Sequence, residues 1–331
     1  MRFVAQKRAA AILFHLAKSR HEAEGLYLVP ANACPVVPLA ILAAGRKVEF
    51  LDINGTYLAM SHELIRARLC DSSKPKVAGV IFIRPYGAIN DAAVDFKALK
   101  RLSGNTVMID DRCSALPDLS PDRLASGADV YLYSTGYGKY VDLGEGGYAF
   151  LDPSIPYRNH WKPPASFSEQ HYRQLESRWK VHLSSRPQGK FWDSETKALG
   201  WLDSGPLLLG QAEYMNVIKH RLGPVKQQKA LADQVYKSLI PASVFIGDQY
   251  NAWRHQILVN EKFRLLDTIF ANGLFASGHY DTTARLFSDC DYARSDHLYS
   301  RVVNLFNDFK LTEAQMLSIG GMVNRHIEQW H

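Results

Sequence analysis

Cysteine is scarce and scattered in this chain of 331 residues: Cys34, Cys70, Cys113 and Cys290 form no close pair. Disulfide scaffolds and thiolate metal centres need denser spacing, so neither is expected, and the thiols read as reduced ones in a cytoplasmic protein. Long apolar runs are also missing. The longest outside the N-terminal region, residues 33–45, is too short to span a bilayer and contains Pro35 and Pro38. A basic stretch at 1–8 followed by apolar residues 9–17 imitates a secretion signal, but His15 interrupts it and Lys18-Ser19-Arg20 stands where small residues are needed. Charge of one sign is not in large excess either: 39 basic against 33 acidic residues leave +6. That balance is too mild to argue for nucleic acid and suits an anionic small substrate equally well. No membrane or nucleic-acid partner is expected.

Several familiar signatures fail. His21-Glu22 lacks a second histidine at zinc-helix spacing, because Gly25 stands there. The run Gly136-Tyr137-Gly138-Lys139 lacks the early glycine of a phosphate loop, and Tyr140 replaces its metal-binding hydroxyl. Val141 takes the third glycine position of a dinucleotide fingerprint. There is no GxSxG elbow and no internal repeat, and no metal site is expected.

What is present is a two-period pattern in a chain that is 47% apolar, long enough to bury a sizeable core. Continuous β-rich runs at 26–29, 47–53, 77–83, 106–110, 130–133 and 147–151 alternate with helical segments at 35–44, 62–69, 92–102 and 121–126. Strands apolar on both faces and separated by helices predict an α/β fold, a mostly parallel sheet covered on both sides. Ligands in such sheets sit at the carboxyl ends of the strands. Residues 157–190 hold seven basic residues against two acidic ones. They belong to an irregular excursion over 157–200, either a solvated surface or a phosphate-binding one. A long helix follows, from about 206 to 239. Another over 312–327 starts at a capping box of Thr312 and Gln315.

Two strand-end motifs carry chemistry. The first is Val107-Met108-Ile109-Asp110-Asp111-Arg112-Cys113-Ser114-Ala115, whose two acids alternate to opposite faces. The second is Ser134-Thr135-Gly136-Tyr137-Gly138-Lys139, followed by Gly144-Glu145-Gly146-Gly147. An acid on one strand end and a lysine on a neighbouring loop are what pyridoxal phosphate chemistry requires. The lysine forms a Schiff base with the aldehyde, and the carboxylate keeps the ring nitrogen protonated so that the ring accepts electrons.

In their order and spacing these motifs resemble the DegT/StrS-type sugar aminotransferases. Arg84-Pro85-Tyr86-Gly87, the segment from Pro30 to Pro35, and Gly45 to Asp52 are similar to further family elements. The resemblance covers roughly residues 5–152 well and the remainder loosely. It implies a fold-type-I architecture: a large pyridoxal-phosphate-binding domain over 1–206, with an antiparallel strand near 147–151, and a smaller α+β domain over 207–331. It further implies pyridoxal 5'-phosphate as cofactor, with Lys139 as Schiff-base lysine and proton shuttle. Asp111 would face the ring nitrogen and Ser134 the phosphate. Ser114 falls where relatives bond the ring hydroxyl, and Cys34 where many stack an aromatic on the ring. Arg8 and Ala9 match the turn that cradles the phosphate at a helix N-terminus. His279-Tyr280 is similar to a His-Tyr-Pro element, outside this candidate set. The implied reaction is amination of a keto group on a nucleotide-linked sugar, with an amino acid such as glutamate as donor, in a homodimer. A binding or scaffold protein of the same fold, and a pyridoxal phosphate enzyme acting on a small amino acid, are the alternatives.

Overall fold

The computed structural model describes residues 1–20, 25–88, 91–120, 126–160, 170, 173–175, 177–178, 181, 207–247, 250, 253–308 and 311–330. All but the last residue of the predicted helix over 121–126, and most of the basic excursion over 157–200, lie outside these residues.

Seven strands among the described residues form the main sheet, in the order β1-β7-β6-β5-β4-β2-β3. They are β1 (Arg2–Gln6), β2 (Leu26–Pro30), β3 (Lys47–Leu51), β4 (Val77–Ile83), β5 (Val107–Asp111), β6 (Val130–Ser134) and β7 (Gly147–Leu151). The five from β6 to β3 run parallel. Strand β7 is antiparallel to β6, as expected, and β1 pairs antiparallel with β7 at the edge. Strand β1 adds to the sequence reading, which saw residues 1–8 only as a basic stretch and expected no strand there. Its alternation is visible only once Val4 and Gln6 are seen to be buried.

The central strands are buried on both faces, which is why they read as continuous apolar runs. Helices α1 (Ala9–Ser19) and α2 (Val36–Ala43) cover one face, packing on Val107, Ile109 and Leu132. Helices α3 (His62–Cys70) and α4 (Phe96–Leu102) flank the other, whose core includes Ile65, Leu99, Met108 and Tyr131. Helix α1 is apolar almost all round and correspondingly buried.

Helix α5 (Gln211–Leu239) starts in the core of the main sheet with Tyr214 and Ile218 and ends in a second core with Ala232 and Tyr236. That second core lies on a small antiparallel sheet, β8 (His255–Leu258), β10 (Val302–Leu305) and β9 (Ala276–Ser277). Helices α6 (Lys262–Ala271), α7 (Ala293–Arg301) and α8 (Glu313–Trp330) complete the chain. The capping box at the start of α8 is formed: Gln315 N–H donates to Thr312 Oγ1 at 3.3 Å, and Thr312 N–H to Gln315 Oε1 at 2.9 Å. No helix among the described residues is long and apolar enough to cross a membrane.

Candidate active site

The carboxyl ends of β2, β4, β5 and β6 converge on one edge of the sheet, and each delivers part of the site. Chain polarity fixes which face each residue uses. On β5, residues 107, 109 and 111 share the face packed by α1 and α2, whereas 108 and 110 share the other.

Asp110 therefore points away from the lysine loop, into an ion cluster. Its carboxylate accepts from Arg84 Nε at 2.7 Å and Arg112 Nη2 at 2.8 Å, and these two guanidiniums hold its pKa below the usual range despite complete burial. Asp111 is equally buried but has no arginine. Its Oδ1 accepts the Cys113 N–H at 2.9 Å, and burial pushes its carboxyl up against the opposing pull of that bond and of Lys139.

Lys139 sits on the loop after β6, held by its own N–H to the Gly136 carbonyl at 3.2 Å. Burial alone would lower its pKa. Tyr280, Cys113, Cys34 and Asp111 are its electrostatic neighbours and together raise it above the ordinary lysine value. The Cys34 thiol, on the turn after β2, is pushed up by burial and has Lys139 and Asp111 as charged neighbours. Ser114 is buried beside the Tyr280 phenol. Lys139, Asp111, Cys34 and Ser114 thus surround one place.

A second cluster lies along the same loop. Ser134 Oγ accepts from the Gly136 N–H at 3.2 Å. Arg8, the extended residue that caps α1, sends Nη1 to the Gly144 carbonyl at 2.9 Å. A side chain at Gly136 would point between them, its Cβ 3.4 Å from Ser134 Oγ and 3.7 Å from Arg8 Nη1. A hydroxyl, a guanidinium and a bare glycine backbone at a helix N-terminus suit an anionic group. Ala9 is the first residue of α1, directly after Arg8. It lies against Gly147, where an added Cβ would stand 2.3 Å from the Ala9 nitrogen, so glycine at 147 is what lets α1 seat its first turn on β7. The Gly-Glu-Gly-Gly turn is tied in by Gly146 N–H to the Lys7 carbonyl at 2.8 Å and by Thr135 Oγ1 to the Glu145 carbonyl at 2.7 Å.

Three site residues lay beyond the sequence reading. Tyr214 of α5 is hydrogen-bonded to Thr135 Oγ1 at 2.6 Å. Trp253 Nε1 donates to the Gly138 carbonyl at 2.8 Å, and Arg254 Nη2 reaches the same oxygen at 3.3 Å. The Trp253 ring stacks on Tyr280 at 11°, carrying that phenol into the lysine cluster. The His279-Tyr280 element was the one available signal for this wall. Nothing in the residues around 253 marks a site, since no motif surrounds them.

No protein-family model matches the sequence, and no curated protein does. Solved structures do match in fold. Aminotransferase PseC of Helicobacter pylori, described as involved in pseudoaminic acid biosynthesis, superposes with a TM-score of 0.68 at 15% identity, over 100% of this chain and 88% of that one. DesI, solved with its TDP-sugar product, gives 0.68 at 16% identity over 98% and 80%. A DegT DnrJ EryC1 StrS aminotransferase from Brucella abortus gives 0.65 at 15% identity over 99% and 86%. The fold is that of the fold-type-I aminotransferases, as the motifs implied.

Proposed function

We propose that this protein is a pyridoxal 5'-phosphate-dependent aminotransferase that converts a keto group of a nucleotide-linked sugar to an amine, with glutamate as donor. The observation that carries this is the meeting of one lysine, Lys139, and one buried carboxylate, Asp111, on the same face of the sheet edge, beside an anion cradle. The sugar substrate is supported by the fold neighbours, one of them solved with a TDP-sugar product. We place the cofactor in a large domain over 1–206, with a smaller domain over 207–331 beside it and α5 spanning both, and take the active form to be a homodimer.

The residues present fit the cofactor. Arg8, Ser134 and the Gly136 backbone would hold its phosphate, and Ser114 and Cys34 would border its ring. When bound, it supplies an aldehyde for an amine and an electron-poor ring that stabilises negative charge developing at a substrate Cα. Lys139 provides that amine and, once released, takes and returns the proton at Cα as general base and acid. Asp111, for which burial makes an unpaired charge costly, gains from a cationic ring nitrogen as partner.

The test is chemical. Incubating the protein with pyridoxal phosphate, reducing with borohydride and mapping peptides should give a covalent label at Lys139, abolished in Lys139→Ala. In a separate sample that is not reduced, glutamate alone should yield 2-oxoglutarate in one equivalent per loaded site. A label at another lysine would overturn the site; labelling without the glutamate reaction would turn the protein into a binding or scaffold homologue.

A further inference from the structure

The loop that carries Lys139 is braced from the second core, and the brace begins at a lysine inside α5. Lys229 is 2% exposed. Its Nζ donates to the Trp253 carbonyl at 2.8 Å and to Asn307 Oδ1 at 2.9 Å, and it lies 5.3 Å from the centre of the Tyr140 ring. One nitrogen therefore joins α5 to the segment before β8, to the segment after β10 and to the residue that follows Lys139. Two turns further along the same helix, the Tyr236 hydroxyl donates to the Phe306 carbonyl at 2.9 Å, a second tie to the segment after β10.

Trp253 hands this anchor on to the loop. Its carbonyl is held by Lys229, its indole Nε1 donates to the Gly138 carbonyl at 2.8 Å, and its ring stacks on Tyr280. The Gly138 carbonyl and the Lys139 N–H belong to one planar peptide unit. The N–H end of that unit donates to the Gly136 carbonyl at 3.2 Å, so the plane is gripped at both ends. A plane fixed in this way narrows the directions in which Lys139 can project its side chain.

Burying an ammonium is costly, and methionine would fill a similar volume without the charge. The Trp253 carbonyl and the Asn307 amide oxygen are neutral acceptors, which return less of that cost than a carboxylate would. What lysine adds over methionine is a nitrogen with three donors, able to tie several segments at one point. Functional sites keep locally expensive arrangements for the geometry they hold.

We infer that Lys229, acting through Trp253, is the positioning residue that aims Lys139 into the site. The inference rests on the role proposed above for Lys139 and adds the residue, outside every motif, that sets its direction. Lys229 holds the loop; Lys139 meets the reacting atoms.

The experiment uses wild type, Lys229→Met and Trp253→Phe as full-length, ligand-free proteins. Methyl acetimidate amidinates unprotonated lysine amines, and peptide mass spectrometry reads each site separately. In wild type the neighbours of Lys139 favour its protonated form. A loop released from its brace lets the amine leave those neighbours, and each unit by which its pKa falls is a tenfold rise in rate at a fixed pH below it. Lys139 should therefore be amidinated about tenfold faster in both variants, with a rate that levels off at lower pH than in wild type. Lys262, at the start of α6 and 0% exposed, reports general opening of the protein and should keep its wild-type rate. Trp253→Phe retains an aromatic ring and the carbonyl that Lys229 holds, so it tests the indole N–H by itself. If Lys229→Met does not fold, Lys229→Gln, which keeps a donor without the charge, is read in its place. An unchanged Lys139 rate in either variant overturns the inference, and so does an equal rise at Lys262, which would make Lys229 a residue of general stability. Cofactor labelling separates the two claims. If pyridoxal phosphate leaves Lys139 of wild type unlabelled, the aminotransferase reading fails while Lys229-dependent amidination stands; if labelling proceeds and amidination is alike in all proteins, the inference alone fails.

Discussion

Asp110 and Asp111 are neighbours of identical chemistry placed in opposite electrostatic surroundings by strand alternation. Asp110 shares two arginines with Asp91, one of them, Arg84, fully buried. Asp110→Asn should lower stability by about 3–5 kcal/mol, the usual result of stripping one partner from a buried pair, measured as a shift in the urea midpoint. Asp111→Asn keeps an acceptor for the Cys113 N–H and removes a carboxylate that burial already disfavours. Its stability should stay within about 1 kcal/mol of wild type, while the glutamate half-reaction slows severely. Equal loss of stability in both variants would mean that Asp111 is structural too. At this scale the sequence was legible where two acids or a lysine ended a strand, because strand ends and short loops place residues locally. It was silent on Trp253 and Arg254. They meet Gly138 across more than a hundred residues, and only the packing of the small sheet brings them there.

Most strands that were read are buried on both faces, although β3, partly exposed at the other edge of the sheet, was read as well. All six expected strands are present, with ends shifted by one or two residues, whereas the edge strand β1, half exposed, was missed. The expected helix over 92–102 is divided: a short turn at Asp91–Ala93, then α4, whose start is fixed by Asp95 accepting the Ala98 N–H at 2.9 Å. An N-cap residue adopts extended backbone, so a helix cannot run through it. The same junction logic makes Gly147 a sensitive position. Gly147→Ala would drive a methyl into the backbone of Ala9, which belongs to a helix and cannot yield as a flexible side chain would. The expected outcome is a loss of about 3 kcal/mol or more and weaker pyridoxal phosphate binding, since α1 and Arg8 would shift together. A calorimetric scan with a cofactor titration checks both; an unchanged melting temperature would show that α1 moves freely on β7.

Across the molecule, stability in acid should depend on one buried imidazole in particular. His15 lies inside α1 and its Nδ1 accepts the His160 N–H at 2.9 Å, which requires the ring to be neutral. Burial, with smaller contributions from His160 and Lys18, lowers its pKa from 6.5 to about 4. Between those values the unfolded chain binds the proton and the folded chain does not, so stability is full above the unfolded pKa and is lost as pH falls toward the folded one. The loss is on the order of 3 kcal/mol, and His15→Gln should flatten it. Unfolding free energies of the two proteins as a function of pH test this; parallel curves would assign the acid sensitivity to another group. The long reach of α5 has a further consequence, for a chain emerging from the ribosome. Lys139 and Tyr280 stand 141 positions apart, and the wall they share contains Arg254 as well. At roughly 5–20 residues per second, about seven to thirty seconds separate synthesis of the loop from synthesis of its last neighbour. During that interval the parallel strands can already have paired, but no complete pocket exists. Pyridoxal phosphate is thus a late fastener on a sheet assembled without it, and a translation pause between residues 139 and 280 would leave an α/β body with its reactive lysine uncovered.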